Sequence, residues 1–150
     1  YKAFAASTLP DIYGADKLKN AYHYEVNNFN TVLIKNNGKR GFEIIDLPVQ
    51  AQFSPTLGFE IHDLNYDGIM DVFGIGNIYD AEVETIRYDA SAGYILLGNE
   101  DGGFTITHDL NALNHHEAQA IKKIKIKGQV HFIILNKNNS LNILRHDEPQ

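Results

Sequence analysis

The sequence predicts an all-β fold of about two antiparallel, four-stranded units with a short helical segment in front. Three observations carry that reading. Short apolar runs alternate with clusters of glycine, asparagine and aspartate, a strand–turn–strand scheme returns along the chain, and "DLNYDGIMDVFGIGN" at Asp63 to Asn77 crowds oxygen-bearing side chains into a turn just before an apolar run. Short β-prone runs bounded by turn-forming residues are the pattern of antiparallel strands. With 150 residues, 43% of them hydrophobic, the chain is long enough to bury one core.

The first segment, "STLPDIYGADKLKNAY", offers Ser7 or Thr8 as a helix cap and Pro10 in a first turn, with Leu18 and Ala21 on one side. This predicts one or two short helical turns. Strand-like runs follow at Tyr22 to Val26, Thr31 to Lys35, Phe42 to Ile45, Gly58 to Asp63, Asp71 to Gly76, Tyr94 to Gly98, Phe104 to His108, Ile124 to Lys127, His131 to Asn136 and Leu141 to Arg145.

Repetition among these runs sharpens the architecture. "TVLIKNNGKRGFEI" from Thr31 and "YILLGNEDGGFTI" from Tyr94 share an apolar strand, an Asn/Gly turn and a second strand opened by Phe42 or Phe104. "LNILRHDE" from Leu141 reads as a third start, so the starts lie 63 and 47 residues apart. The excess in the first interval is about the length of Asn77 to Gly93, which reads as an insertion. A repeat of about 45 residues with about four strands is the signature of a β-propeller blade. The expected layout is an N-terminal segment over 1–30, with a short helix and a first strand, and blades over 31–150. Of these, one blade carries the oxygen-rich turn at about 58–110 and a degenerate one covers about 118–150.

In the oxygen-rich turn, Asp63, Asn65 and Asp67 hold positions one, three and five. Gly68 permits the bend, the Ile69 carbonyl falls at seven and Asp71 at nine. Hard oxygens at that spacing suit Ca²⁺, which takes six to eight oxygen ligands in tolerant geometry. An EF-hand needs a bidentate glutamate at position twelve, and here that position is Gly74 inside an apolar run. The alternative is a plain Asx-rich β-turn.

These residues, with "YILLGNEDGGFT" after them, resemble the FG-GAP/VCBS repeat, the calcium-loop propeller blade also found in integrin α-subunit headpieces. The stretch Ala51 to Phe104 is similar to the large secreted or envelope VCBS proteins of the ASPIC/UnbV type. The resemblance implies a propeller of about seven blades, an extracytoplasmic location (secreted, periplasmic or cell-surface), and calcium held between two strands of a blade. It also implies a parent longer than this chain. A start at Tyr1 rather than methionine fits the expectation of a processed protein or an excised fragment.

Composition narrows the partners. Thirteen Lys and Arg against nineteen Asp and Glu give a net charge of −6, so nucleic acid is not the expected ligand. The one cationic cluster, "IKKIKIKG" at Ile121 to Gly128, alternates with isoleucine as an amphipathic strand does. No carboxylate lies between Ile121 and Val130, so the second unit is expected to bind no ion. Absence of cysteine excludes disulfides and thiolate metal sites. No apolar run reaches transmembrane length, and no basic start followed by an apolar stretch reads as a signal peptide.

The insertion gathers Tyr79, Asp80, Glu82, Glu84, Arg87, Tyr88 and Asp89 on a connection too long for a tight hairpin. Such a loop either recognises a protein or glycan or braces itself, with Arg87 bridging Glu84 or Asp89. "NHHEA" at Asn114 to Ala118 is expected to be an exposed turn. The chain carries no zinc spacing, G-x-S-x-G elbow, phosphate loop or dinucleotide fingerprint. The expected function is therefore a non-enzymatic, calcium-binding propeller module for protein or glycan adhesion, completed by the rest of a larger propeller or by self-association. The alternative is the propeller part of a larger carbohydrate-active enzyme, with Glu82 and Glu84 as the nearest carboxylate pair.

Overall fold

Thr8 begins the one helix with a built cap. Its backbone N–H and its hydroxyl both donate to Asp11 Oδ2, at 2.8 and 2.7 Å, while Pro10 sits in the first turn, where no intrahelical donor is lost. In the computed structural model, which describes residues 1–107 and 116–147, this helix is α2 (Leu9–Tyr13), flanked by α1 (Lys2–Ala5) and α3 (Ala15–Lys19). None of the three buries a residue, so local hydrogen bonding rather than packing shapes them. The strand expected at Tyr22 to Val26 is not formed: the segment is irregular, with Tyr22 92%, Tyr24 86% and Val26 64% exposed. A β-prone run becomes a strand only by pairing, and among the described residues this one has no strand partner.

The rest of the described chain is mostly β, in antiparallel sheets with sequential neighbours. Strands β1 (Val32–Asn36) and β2 (Phe42–Asp46) form a hairpin. A four-stranded sheet follows, from β3 (Gly58–His62), β4 (Asp71–Ile75), β5 (Tyr94–Gly98) and β6 (Phe104–Ile106). A three-stranded sheet is built from β7 (Ala118–Ile126), β8 (Gln129–Asn136) and β9 (Leu141–His146). The repeat read in the sequence is a repeat of register: Phe42 pairs with Asn36 and Phe104 with Gly98, each across an Asn/Gly turn. His108 and residues 109–115 lie outside the described residues.

Strand β7 is longer than its IKIK core because β8 pairs with it back to Ala118. Lys127 and Gly128 join the two strands with both φ angles positive, 50° and 85°, the geometry of a two-residue hairpin turn.

Alternation along β4 and β5 sends side chains to both faces of the middle sheet, and along these two strands both faces are covered. Phe73 and Ile75 pack with Ala118, Ile121, Phe132 and Ile134 of the last sheet, Phe73 and Phe132 meeting edge-on at 5.5 Å between ring centroids. Tyr94 and Leu96 pack on the opposite side with Ala51, Leu47 and Val72. That double burial explains why the run after the oxygen-rich turn is apolar at nearly every position. It also fixes the turn between two packed sheets.

Candidate functional site

The oxygen-rich turn closes β3 onto β4, whose last and first residues, His62 and Asp71, are directly paired. Tyr66 and Gly68 take positive φ values of 63° and 87°, which curl the loop on itself. Curling aims backbone N–H groups inward, and the side chains meet them. Asp63 accepts from Asp67 N at 3.1 Å through Oδ1 and from Gly68 N at 2.9 Å through Oδ2. Asn65 Oδ1 accepts from Asp67 N at 3.1 Å, and Asp67 Oδ1 accepts from Ile69 N at 2.8 Å. Asn65 Nδ2 donates to Asp67 Oδ2 at 2.8 Å.

Asp71 differs from the other three. It is fully buried, and its carboxylate accepts from Leu64 N at 2.7 Å and from Gly98 N at 2.8 Å. One oxygen thus holds the start of the loop and the other clamps β5. Gly98 is required there, since any Cβ would collide with the Met70 carbonyl oxygen. The sequence spacing identifies Asp71 as a ninth-position oxygen, but not as this clamp, because Gly98 lies far along the chain.

The loop's negative charge is met by backbone N–H groups and the Asn65 amide. No lysine or arginine among the described residues pairs with Asp63, Asp67 or Asp71. Nor do three or more His, Cys, Asp or Glu side chains form a group able to hold a metal ion among those residues. The outer donors are therefore hard oxygens from two carboxylates, one amide and the backbone, a set that suits Ca²⁺ and no thiophilic metal.

The loop also docks on the last strand. Tyr66 stacks on His146 at 5.0 Å with planes 5° apart, and His62 meets His146 at 5.5 Å. Burial pushes the His62 pKa down, and the charges of Lys123 and His146 add to that, against the opposing pull of Asp63. Lys122 pairs with Glu60 at 3.1 Å and Lys123 donates to the Ile61 carbonyl at 2.7 Å, so these two lysines stitch β7 to β3.

The insertion from Asn77 to Gly93 is a small hairpin of its own. Ile78 and Tyr88 exchange two backbone bonds of 2.9 Å, and Ser54 Oγ donates to the Tyr88 carbonyl at 2.8 Å. Buried Asn77 ties the two ends together, donating to Ser91 O at 2.7 Å and accepting from Ser91 N at 3.3 Å. Arg87 does not bridge Glu84 or Asp89, as bracing within the loop would require. It lies over the Tyr79 ring, 5.6 Å from the centroid.

The bracing cation is Lys137, from the turn after β8. Its Nζ donates to Asp80 Oδ2 at 2.7 Å and to Glu117 Oε1 at 3.0 Å. Pairing raises the Lys137 pKa, Asp80 contributing first, and lowers that of Asp80. Glu117, expected in an exposed turn, is half-buried and also accepts from Tyr79 N at 3.1 Å. His116 beside it is exposed, and His115 lies outside the described residues. Beyond this base, Glu82, Glu84 and Asp89 are exposed, as are Val83 and Ile86 at the tip.

No family model, no curated protein and no solved structure matches this chain. The functional reading rests on its own residues.

Proposed function

We propose that the chain is a non-enzymatic binding module built from β-propeller blades of the FG-GAP/VCBS kind, stabilised by Ca²⁺ at the Asp63–Asp71 loop. The observation that carries this reading is the loop itself. Four oxygen side chains, three of them charged, sit together where β3 turns into β4, and no lysine or arginine among the described residues pairs with them. Asp63, Asn65, Asp67 and the Ile69 carbonyl would hold the ion from the loop, with Asp71 beneath them. Bound calcium supplies charge neutralisation and a cross-link within the connection.

The module works outside the cytoplasm, where calcium is plentiful, and presents the exposed tip of the inserted hairpin to a protein or glycan. Val83 and Ile86 between Glu82, Glu84 and Asp89 give that tip an apolar centre in an acidic frame. Nucleic acid is a poor partner for it. No helix among the described residues is long and apolar enough to cross a membrane.

Thermal melts in chelator and in millimolar Ca²⁺ test the reading. Extracellular modules bind calcium at about 10⁻⁴ to 10⁻³ M, so a rise in Tm is expected across that range. Asp67→Ala should abolish the rise and His116→Ala should preserve it. An unchanged Tm in the parent chain rejects the calcium reading.

A further inference from the structure

The seam between the oxygen-rich loop and the last strand brings together two histidines that calcium does not use. His62 ends β3 and His146 ends β9, and their ring centroids lie 5.5 Å apart with planes at 78°. Tyr66 lies against His146, and Phe132 stands 6.2 Å from His62 and 6.3 Å from His146. His146 Nε2 is buried and has no hydrogen-bond partner. A buried ring nitrogen left unmatched is costly in folding, and a bound ion is one partner that meets such an atom. A cleft of about 710 Å³ opens on the pair, lined also by Tyr66, Lys125, Gln129 and Asp147.

The separation matches shared coordination. With metal–nitrogen bonds of about 2.0 Å and each nitrogen about 1.1 Å from its ring centre, two imidazoles on one ion have centroids about 4.5 to 6 Å apart, depending on the angle between them. We propose that His62 and His146 form a two-histidine site for a divalent transition-metal ion, Zn²⁺, Ni²⁺ or Cu²⁺, that ties the end of β3 to the end of β9. Imidazole nitrogen selects these ions, as carboxylate and carbonyl oxygen select calcium, so the site is chemically separate from the loop beside it. No third His or carboxylate completes a group among the described residues. Asp147 is engaged by Arg145 at 2.7 Å and by Gln129 at 3.1 Å. The remaining coordination positions fall to water or a small anion entering from the cleft.

The test uses the intact chain in saturating Ca²⁺. Cu²⁺ is added below stoichiometry while imidazole resonances are followed by NMR, and His62 and His146 should broaden together before His23, His116 and His131. Calorimetry with Zn²⁺ should show one saturable site. His62→Ala and His146→Ala should each weaken it by about tenfold or more, the scale that even an outer-shell partner of a metal is worth. His131→Ala should leave it unchanged. First broadening at any other histidine, or Zn²⁺ uptake that survives both substitutions, overturns the site. If either variant fails to fold, the NMR result on the parent chain decides. The calcium response of the loop is read separately through Asp67→Ala, so either site can fail without the other.

Discussion

Asp71 shows how one residue can serve both the fold and the loop. Its two oxygens satisfy backbone donors from two different segments. Asp71→Asn would turn an amide N–H₂ towards one of those donors. A lost bond of this kind, with the donor left unmatched, costs about 1 to 3 kcal/mol, and the denaturation midpoint in chelator should fall accordingly.

His62 makes a second prediction. Its folded pKa lies below the ordinary value of about 6.5. Above that pH both states are neutral and the full stability is present. As pH falls below about 6.5 the unfolded chain takes up a proton that the folded chain resists, so stability declines until the folded pKa is passed. Melts between about pH 7.5 and 5.5 should show this slope, and His62→Gln should flatten it. The spacing of Asp63, Asn65, Asp67 and Asp71 was legible in the sequence because it is local. The environment of His62 was not, because Lys123 and His146 reach it from strands far along the chain.

At the scale of elements, the same division between local and distant information decides what could be read. Strands β1, β2, β5, β8 and β9 lie close to where apolar alternation put them, since each run carries its own turn signals. Tyr22 to Val26 has the composition of a strand and no partner to pair with, a matter that composition cannot express. The inserted hairpin was legible as an insertion, whereas its brace was not. Lys137 sits in another turn, so the cation nearest in sequence, Arg87, drew the role instead. The two residues should now separate in experiment. Glu117→Ala removes the acceptor of both Tyr79 N and Lys137 Nζ and should lower stability by about 1 kcal/mol or somewhat more. Arg87→Ala removes one exposed cation–π contact, worth about 0.5 to 1 kcal/mol at most, and should leave Tm nearly unchanged. If the tip recognises a ligand, Val83→Ser and Ile86→Ser should weaken binding without moving Tm, because both side chains are exposed.

Over the whole molecule, the packed pair of sheets contrasts with what lies outside it. The middle sheet is covered on both faces along β4 and β5, while its edge strand β3 leaves Phe59 and Ile61 58% and 47% exposed, and the hairpin of β1 and β2 turns Ile34, Phe42 and Ile44 outward at 61%, 72% and 64% exposure. Strand β9 likewise exposes Leu141 and Ile143, at 61% and 58%. Clustered apolar side chains on sheets with open edges are association surfaces. In a larger propeller, neighbouring blades would cover them. For the isolated chain the occupant expected is a second copy, the outer face of one hairpin meeting the last sheet of the next molecule. Such a contact joins two different surfaces, so it propagates into rings or open chains rather than stopping at a symmetric pair. Sedimentation over a range of concentrations should therefore show a ladder of species. Replacing Phe42 and Ile44 together with lysine should shift it to monomer. Tm should hardly change, because neither side chain lies in either core cluster of the chain. A parent chain that stays monomeric at every concentration would show that these faces tolerate water, and the double substitution would then have nothing to dissociate.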